Sequence, residues 1–451
     1  MEPNFFKGKE VLVVGMARSG LAVARYLQRN GVPLTVSEHR CRQELEVEIR
    51  DLEALGIRCE VGGHQVKTFL AADYIVVSPG VPLRLPALLQ ASRQGITILS
   101  EVELASWFLR GKIVGITGSN GKTTTTTLVG EMLRAAGFRV QVGGNIGVPL
   151  TSLVESSDPE IINVVELSSF QLEAAPSFRP QVAVILNITA DHMDRYNSLE
   201  KYADTKLNLL RNQTEEDFVV LNQEDNLLCR LATPFVSKQY WFSTKALVKR
   251  GSYLEKDSLI FCNGEKAEWV LSTDTIRVKG IHNLENIAAA VTVAKLLGAP
   301  CEPIRRTIGL FRGVPHRLEW VREIDSIEFY NDSKATNLAS TQKALQAFEK
   351  GVVLILGGRD KGSDFSILTE LVHRRVTRLV LLGEASRKIG SQLRGTAPLE
   401  YASNMDEAVH LAFQGAGRNE VVLLAPACSS FDMFKDYEQR GNVFKQLVNG
   451  L

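Results

Sequence analysis

Residues 112–133 read KIVGITGSNGKTTTTTLVGEML: an apolar run, a glycine turn, then a helix starting at Lys122. The glycines of the turn Gly118-Ser119-Asn120-Gly121 expose backbone N–H groups, and the helix N-terminus behind it adds more, so the stretch predicts a concave site for phosphate oxygens. Lys122 can reach a transferred phosphate, and Thr123, with Thr124 beside it, supplies a hydroxyl for magnesium. The strict spacing asks for glycine at position 116, where Ile116 stands. The match is therefore to the shorter G-x-x-G-K-T. A plain turn between strand and helix would not call for the Lys-Thr-Thr that follows. The loop implies bound ATP or GTP.

A magnesium-nucleotide site also needs a carboxylate from a neighbouring strand. Glu166 closes the apolar run 161–165 and is the candidate. A second buried-strand candidate, 182–187, runs into Thr189-Ala190-Asp191-His192-Met193-Asp194. A histidine between two acids suits either a hydrogen-bonded turn or a ligand set, and the nearby Glu166 and Lys122 favour the ligand.

Upstream, the short β-rich runs 11–15, 34–37 and 74–78 alternate with amphipathic stretches at 21–30 and 44–55, the pattern of a parallel sheet with helices packed over it. The run VLVVGMARSG (11–20) resembles a dinucleotide fingerprint, with Glu38 at the expected distance. However, Ala17 replaces the glycine that lets backbone approach a pyrophosphate, which argues against NAD. A nucleotide-linked substrate in this domain and ATP in the next use both features. The loop Ser78-Pro79-Gly80-Val81-Pro82 is either a rigid turn or a cover over the same ligand.

Downstream, 218–279 holds short alternating runs (240–243, 258–262, 269–271) and predicts a small, mainly antiparallel sheet. A helix over 283–297 follows, stopped by Gly298 and Pro300. Strands at 328–331, 352–357, 378–382 and 420–425 predict a third α/β unit. The expected fold is α/β in three domains: a Rossmann-like N-terminal domain (1–100), a central P-loop ATPase-like domain with the small antiparallel sheet (101–311) and a Rossmann-like C-terminal domain (312–451).

The 52 Lys and Arg nearly cancel 51 Asp and Glu, so no global field draws in nucleic acid or an anionic membrane. The six cysteines are scattered, without the spacing of a zinc site or a disulfide framework, and fit a reducing cytoplasm. The N-terminus lacks the basic-then-apolar order of a signal peptide, and no apolar run reaches membrane-spanning length. A monomer is expected.

With these segments assembled, the chain resembles the Mur ligases of bacterial cell-wall synthesis along essentially its whole length. The matching strings are TGSNGKTTT (117–125), GGNIG (143–147), ELSSFQLE (166–173), DHMDRY (191–196), YADTKLNLLRN (202–212), GIHNLENIAAA (280–290), GVPHRLE (313–319), NDSKATN (331–337), GGRDKGSDF (357–365) and PACSSFDMFKDYEQRGN (426–442). The C-terminal strings resemble the D-glutamate-adding branch. The Asp-Asn-Pro-Arg string of the diaminopimelate- or lysine-adding branch is absent, and folylpolyglutamate synthase is a more distant relative.

The resemblance implies an ATP-dependent amide ligase that joins D-glutamate to UDP-N-acetylmuramoyl-L-alanine through an acyl phosphate. It further implies ATP contacts from the loop 118–124 and from Asn283 (adenine), Arg317, Asp332 (ribose) and Lys334. One magnesium falls to Thr123 and Glu166, and a second to His192 and Lys206, the latter as a carbamate. Lys122, His192 and Lys206 are then the catalytic set. The same resemblance assigns D-glutamate to Thr336, Lys361, Ser430 and Tyr437, where phenylalanine is usual at the last position. It assigns the UDP side to Arg18, Ser19, Glu38, His39, Ser78, Gly80 and Asn145.

Overall fold

The computed structural model describes residues 3–189, 195–231, 234–278, 280–360 and 362–451. These residues form two compact units, Met1–Thr273 with Leu284–Ile308, and Asp274–Asn283 with Gly309–Leu451. The first unit holds two sheets and the second one.

The first sheet comprises β1 (Val11–Val14), β2 (Leu34–Glu38), β3 (Arg58–Val61), β4 (Tyr74–Val77) and β5 (Thr97–Ser100), all parallel in the order β3-β2-β1-β4-β5. Strand alternation divides its apolar residues between two faces. Val11 and Val13 join the helices Arg18–Arg29, Glu46–Ala54 and Glu101–Phe108, whereas Leu12 and Val14 meet Val66–Ala71 and Pro86–Arg93. The sheet is thus covered on both sides, as parallel sheets are.

The second sheet holds β6 (Lys112–Thr117), β7 (Val140–Gly144), β8 (Ile162–Glu166), β9 (Val182–Ile185), β10 (Phe218–Asn222), β11 (Lys238–Ser243), β12 (Gly251–Glu255), β13 (Ser258–Cys262) and β14 (Ala267–Ser272), ordered β14-β13-β12-β11-β10-β9-β6-β8-β7. Only the β12-β13 and β13-β14 pairs are antiparallel. The antiparallel portion anticipated for 218–279 is therefore the outer end of one continuous sheet, and β10 and β11 extend its parallel part.

The two sheets of this unit share a core and a polar seam. Buried Glu101 accepts from Thr151 N (2.6 Å) and Thr151 Oγ1 (2.7 Å), and Ser100 N donates to Ala174 O (2.7 Å). Burial pushes the Glu101 carboxyl up to about 6, against the hydrogen bonds from Thr151 and Leu150.

The second unit is built on β15 (Glu319–Ile324), β16 (Ile327–Asn331), β17 (Val352–Gly357), β18 (Val376–Leu382), β19 (Leu399–Tyr401) and β20 (Val421–Leu424), ordered β15-β16-β20-β17-β18-β19. It is parallel apart from the β15-β16 hairpin. Each face of the sheet carries its own apolar cluster.

Candidate active site

The phosphate loop leaves the C-terminal end of β6 between β8 and β9, where ligands of open α/β sheets sit. Gly121 caps the helix Lys122–Ala135 in the left-handed region (φ 83°), and no side chain caps that helix. No capping side chain therefore competes with an anion at this helix N-terminus. A β-carbon at position 121 would also collide with Asn286 Oδ1, which fixes glycine there. The loop is held from behind: Ser119 N donates to Asn187 O (2.9 Å) and Asn120 N to Asn187 Oδ1 (2.8 Å). Lys122 Nζ folds back onto Gly118 O (2.9 Å) and Ser119 O (3.0 Å).

Beneath the loop, the Thr123 hydroxyl donates to Glu166 Oε2 (2.9 Å), and Asn145 Nδ2 donates to Glu166 Oε1 (2.8 Å). Glu166 is 2% exposed at the end of β8. A hydroxyl beside a carboxylate, both oxygen donors facing a phosphate site, fits magnesium. Among the described residues no group of three His, Cys, Asp or Glu side chains forms a metal cluster, so further ligands to such an ion would come from elsewhere.

Lys206, 1% exposed in the helix Leu199–Leu207, donates from Nζ to Gly118 O (2.9 Å) and stands 4.6 Å from the centre of the Tyr202 ring. As an ammonium it offers no lone pair to a metal; a carbamate at the same atom would. His192 lies outside the described residues.

Arg18, Ser19, Glu38, His39, Ser78, Gly80 and Asn145 all line one cavity of about 750 Å³ at the C-terminal ends of β1, β2 and β4. Glu38 spans its floor, accepting from Met16 N (2.7 Å) and Arg40 N (3.1 Å). Burial of Glu38 is outweighed by hydrogen bonds from Arg40 and Met16, which hold its carboxyl down at about 2. Glu38 thus pins the first loop and stays anionic.

In the second unit, Asp332 Oδ1 accepts from Leu318 N (3.2 Å), next to Arg317. Burial pushes the Asp332 carboxyl up to about 7, partly offset by Arg317, Leu318 N and Lys334. Lys334 N donates to His316 O (3.0 Å), Thr336 N donates to Lys334 O (2.8 Å), and Lys334 Nζ lies 5.6 Å from the Tyr437 ring centre. Arg440 gathers this loop and that of Ser430: its guanidinium donates to Ser333 O (2.8 Å) and Cys428 O (3.1 Å). Asn283, whose N donates to Gly280 O (3.0 Å), falls in this unit's segment Asp274–Asn283. Lys361 lies outside the described residues.

Sequence reading passed over Asn286 at the phosphate loop, Arg440, and the cavity residues Arg40, His64 and Gln171. Asn286 had a usable signal, the i, i+3 repeat with Asn283 in HNLEN.

Three family models match the chain in order: a Mur ligase MurD-like N-terminal domain over residues 9–100, the Mur ligase middle domain over 116–294, and the Mur ligase glutamate ligase domain over 316–428. A UDP-N-acetylmuramoylalanine–D-glutamate ligase of Acidobacterium capsulatum is 49% identical over 444 residues, which is 98% of this chain and 96% of that one. The chain belongs to the Mur ligase family.

The enzyme of the same name from Koribacter versatilis is 44% identical to this Mur ligase, over 98% of this chain and 97% of its own. Among solved structures, a UDP-N-acetylmuramate–alanine ligase of Thermotoga maritima has the same fold, with TM-score 0.58 at 19% identity over 98% of this chain and 99% of that one. A MurF ligase from Thermotoga maritima in complex with ADP gives 0.57 at 17% identity, over 92% of this chain and 95% of its own.

Proposed function

We propose that this Mur ligase joins D-glutamate to the L-alanine carboxylate of UDP-N-acetylmuramoyl-L-alanine at the expense of ATP, in peptidoglycan precursor synthesis. The observation that carries the reading is the position of Asn145. It lines the cavity and also donates to Glu166 beneath the phosphate loop, so one residue separates the nucleotide-substrate pocket from the ATP site. A nucleotide-linked acid held in the cavity by Arg18, Ser19, His39, Ser78 and Gly80 can present its far carboxylate to the transferable phosphate.

A carboxylate is a poor acyl donor. One of its oxygens attacks the γ-phosphorus, ADP departs, and the acyl phosphate results; the D-glutamate amine then adds to the carbonyl and phosphate leaves, forming the amide. Positioning and charge neutralisation are the protein's share of such a transfer. Lys122 and the helix amides, with Ser119, Asn120 and Thr124 around them, hold the phosphates, and Asn145 orients Glu166. Thr123 and Glu166 would hold a magnesium, which would supply charge neutralisation at the phosphates, and His192 with Lys206, as a carbamate, would hold a second.

Asn283, Arg317, Asp332 and Lys334 complete the ATP site. Thr336, Lys361, Ser430 and Tyr437 take D-glutamate, a cation and hydroxyls suiting its carboxylates. In domain terms, 1–100 binds the UDP substrate, 101–311 binds ATP and 312–451 binds the amino acid. No helix among the described residues is long and apolar enough to cross a membrane, and none of the six cysteines is in a disulfide. Reduced thiols suit a cytoplasmic enzyme, and a monomer is the proposed state.

One assay tests the reading. Steady-state ADP release, beyond a first turnover, should require both UDP-N-acetylmuramoyl-L-alanine and D-glutamate and should match amide formed. It should stop in Lys206→Ala, with bicarbonate giving no rescue. A preference for L-glutamate and folate sinks the substrate assignment, and a fully active Lys206→Ala sinks the carbamate.

A further inference from the structure

β3 is an edge strand, and the chain leaves it through Gly62 (φ 82°) and Gly63 (φ 140°), conformations that glycine adopts without strain. The two glycines fold the exit against the turn after β2: Gly62 N donates to Arg40 O (2.8 Å) and Gly63 N to Glu38 O (3.3 Å). The next residue, His64, is thereby carried to the cavity wall. Its Nδ1 is 2.8 Å from the Oγ of fully buried Ser37, and its ring meets Phe69 edge-on at 5.6 Å. Nε2 is left as the ring's other polar atom.

The cavity has a direction. Arg18 and Ser19 open the helix that follows β1, the end of the site that suits a diphosphate. In a sheet of this order the nucleoside then extends across the end of β2 towards β3. Glu38 and His39 mark the first step of that path, and His64, 6.4 Å from the His39 ring, marks the second.

We propose that His64 reads the uridine end of the nucleotide-linked substrate, contacting base or ribose through Nε2 while Ser37 fixes the ring through Nδ1. This rests on the reading that the cavity takes a UDP-linked substrate. Burial lowers the imidazole pKa, with Glu38 opposing and His39 reinforcing, so the ring works as a neutral donor or acceptor and not as a cation for phosphate. His64 is a specificity residue of the binding step and takes no part in phosphoryl transfer.

The test is calorimetric titration of the full chain with UDP, alongside steady-state kinetics, for three variants. His64→Ala should weaken UDP about tenfold, the scale of one hydrogen bond lost in a partly buried site. The KM of the UDP substrate should rise to match, with kcat and the KM values for ATP and D-glutamate unmoved. His64→Gln, whose amide reaches the Nε2 position, should recover most of the affinity. His64→Asn, which mimics only Nδ1, should not. Recovery by Asn and not Gln would assign His64 a purely structural bond to Ser37 and overturn the proposal, as would unchanged UDP affinity in His64→Ala. If the wild type fails to bind UDP at all, the reading of the cavity falls and this inference with it.

Discussion

Asp332 is buried at 6% exposure, and its carboxyl sits at about 7 instead of the ordinary 3.8. Desolvation is the main cause, and Arg317, Leu318 N and Lys334 only partly offset it. The consequence for stability has a definite sign. An unfolded chain gives up this proton near pH 4, whereas the folded chain keeps it until about pH 7, so folding binds a proton in that window and stability falls as pH rises through it. Asp332→Asn retains an oxygen to accept from Leu318 N and cannot ionise. At pH 8 its unfolding free energy should exceed that of the wild type, by at most about 4 kcal/mol for a shift of about three pH units. Near pH 4 the two should converge. On the proposed assignment of Asp332 to the nucleotide ribose, the KM for ATP should rise in the same variant, stability having been traded for binding. A gap between variant and wild type that stays constant across pH removes ionisation as its cause.

The short helix Leu150–Leu153 and the helix Glu101–Phe108 meet through Thr151 and Glu101, and this seam joins the first two sheets. Glu101 Oε2 has no hydrogen-bond partner among the described residues, so Oε1 carries the polar satisfaction of the side chain. Thr151→Val keeps the shape and one N–H but removes the hydroxyl donor. It should lower the unfolding free energy by about 1–3 kcal/mol, with kcat at saturating substrates preserved; an unchanged unfolding free energy would show the seam to be idle. This polar joint has no sequence signature, and the strands divide the same way. The strands read from sequence in the first and third sheets were β1, β2, β4, β16, β17, β18 and β20, every one of them interior. The edges β3, β5, β15 and β19 were passed over. Interior parallel strands are covered on both faces and spell apolar runs, whereas an edge such as Arg58–Val61 mixes charge with apolar residues. The same division decided the site. The loops after β1, β6 and β8 carry recognisable strings, so Glu38, Lys122 and Glu166 were legible. His64 follows an unread edge strand, and Asn286 acts through the tertiary contact of its helix with Gly121 and Thr125.

At the scale of the whole chain, the proposed roles divide between the two compact units. The phosphate loop, Glu166 and the nucleotide cavity belong to the first unit, and Thr336, Ser430 and Tyr437, assigned to D-glutamate, to the second. The chemistry divides at the same point, since the acyl phosphate must exist before any amine can displace phosphate from it. With ATP and UDP-N-acetylmuramoyl-L-alanine but no D-glutamate, hydroxylamine should therefore trap the intermediate as a hydroxamate. Ser430→Ala should give hydroxamate within about twofold of the wild type while its kcat/KM for D-glutamate falls about 10–100-fold, the effect of one charge-assisted hydrogen bond at about 1.4 kcal/mol per factor of ten. Thr123→Ala should lose both steps together, because its hydroxyl donates to Glu166 at the loop proposed to hold the phosphates, which both steps need. If Ser430→Ala loses hydroxamate in proportion to amide, Ser430 acts on the activation step and its assignment to D-glutamate fails. If it loses only the amide, amino-acid selection is confined to the second unit and can be altered there without touching the machinery that activates the carboxylate.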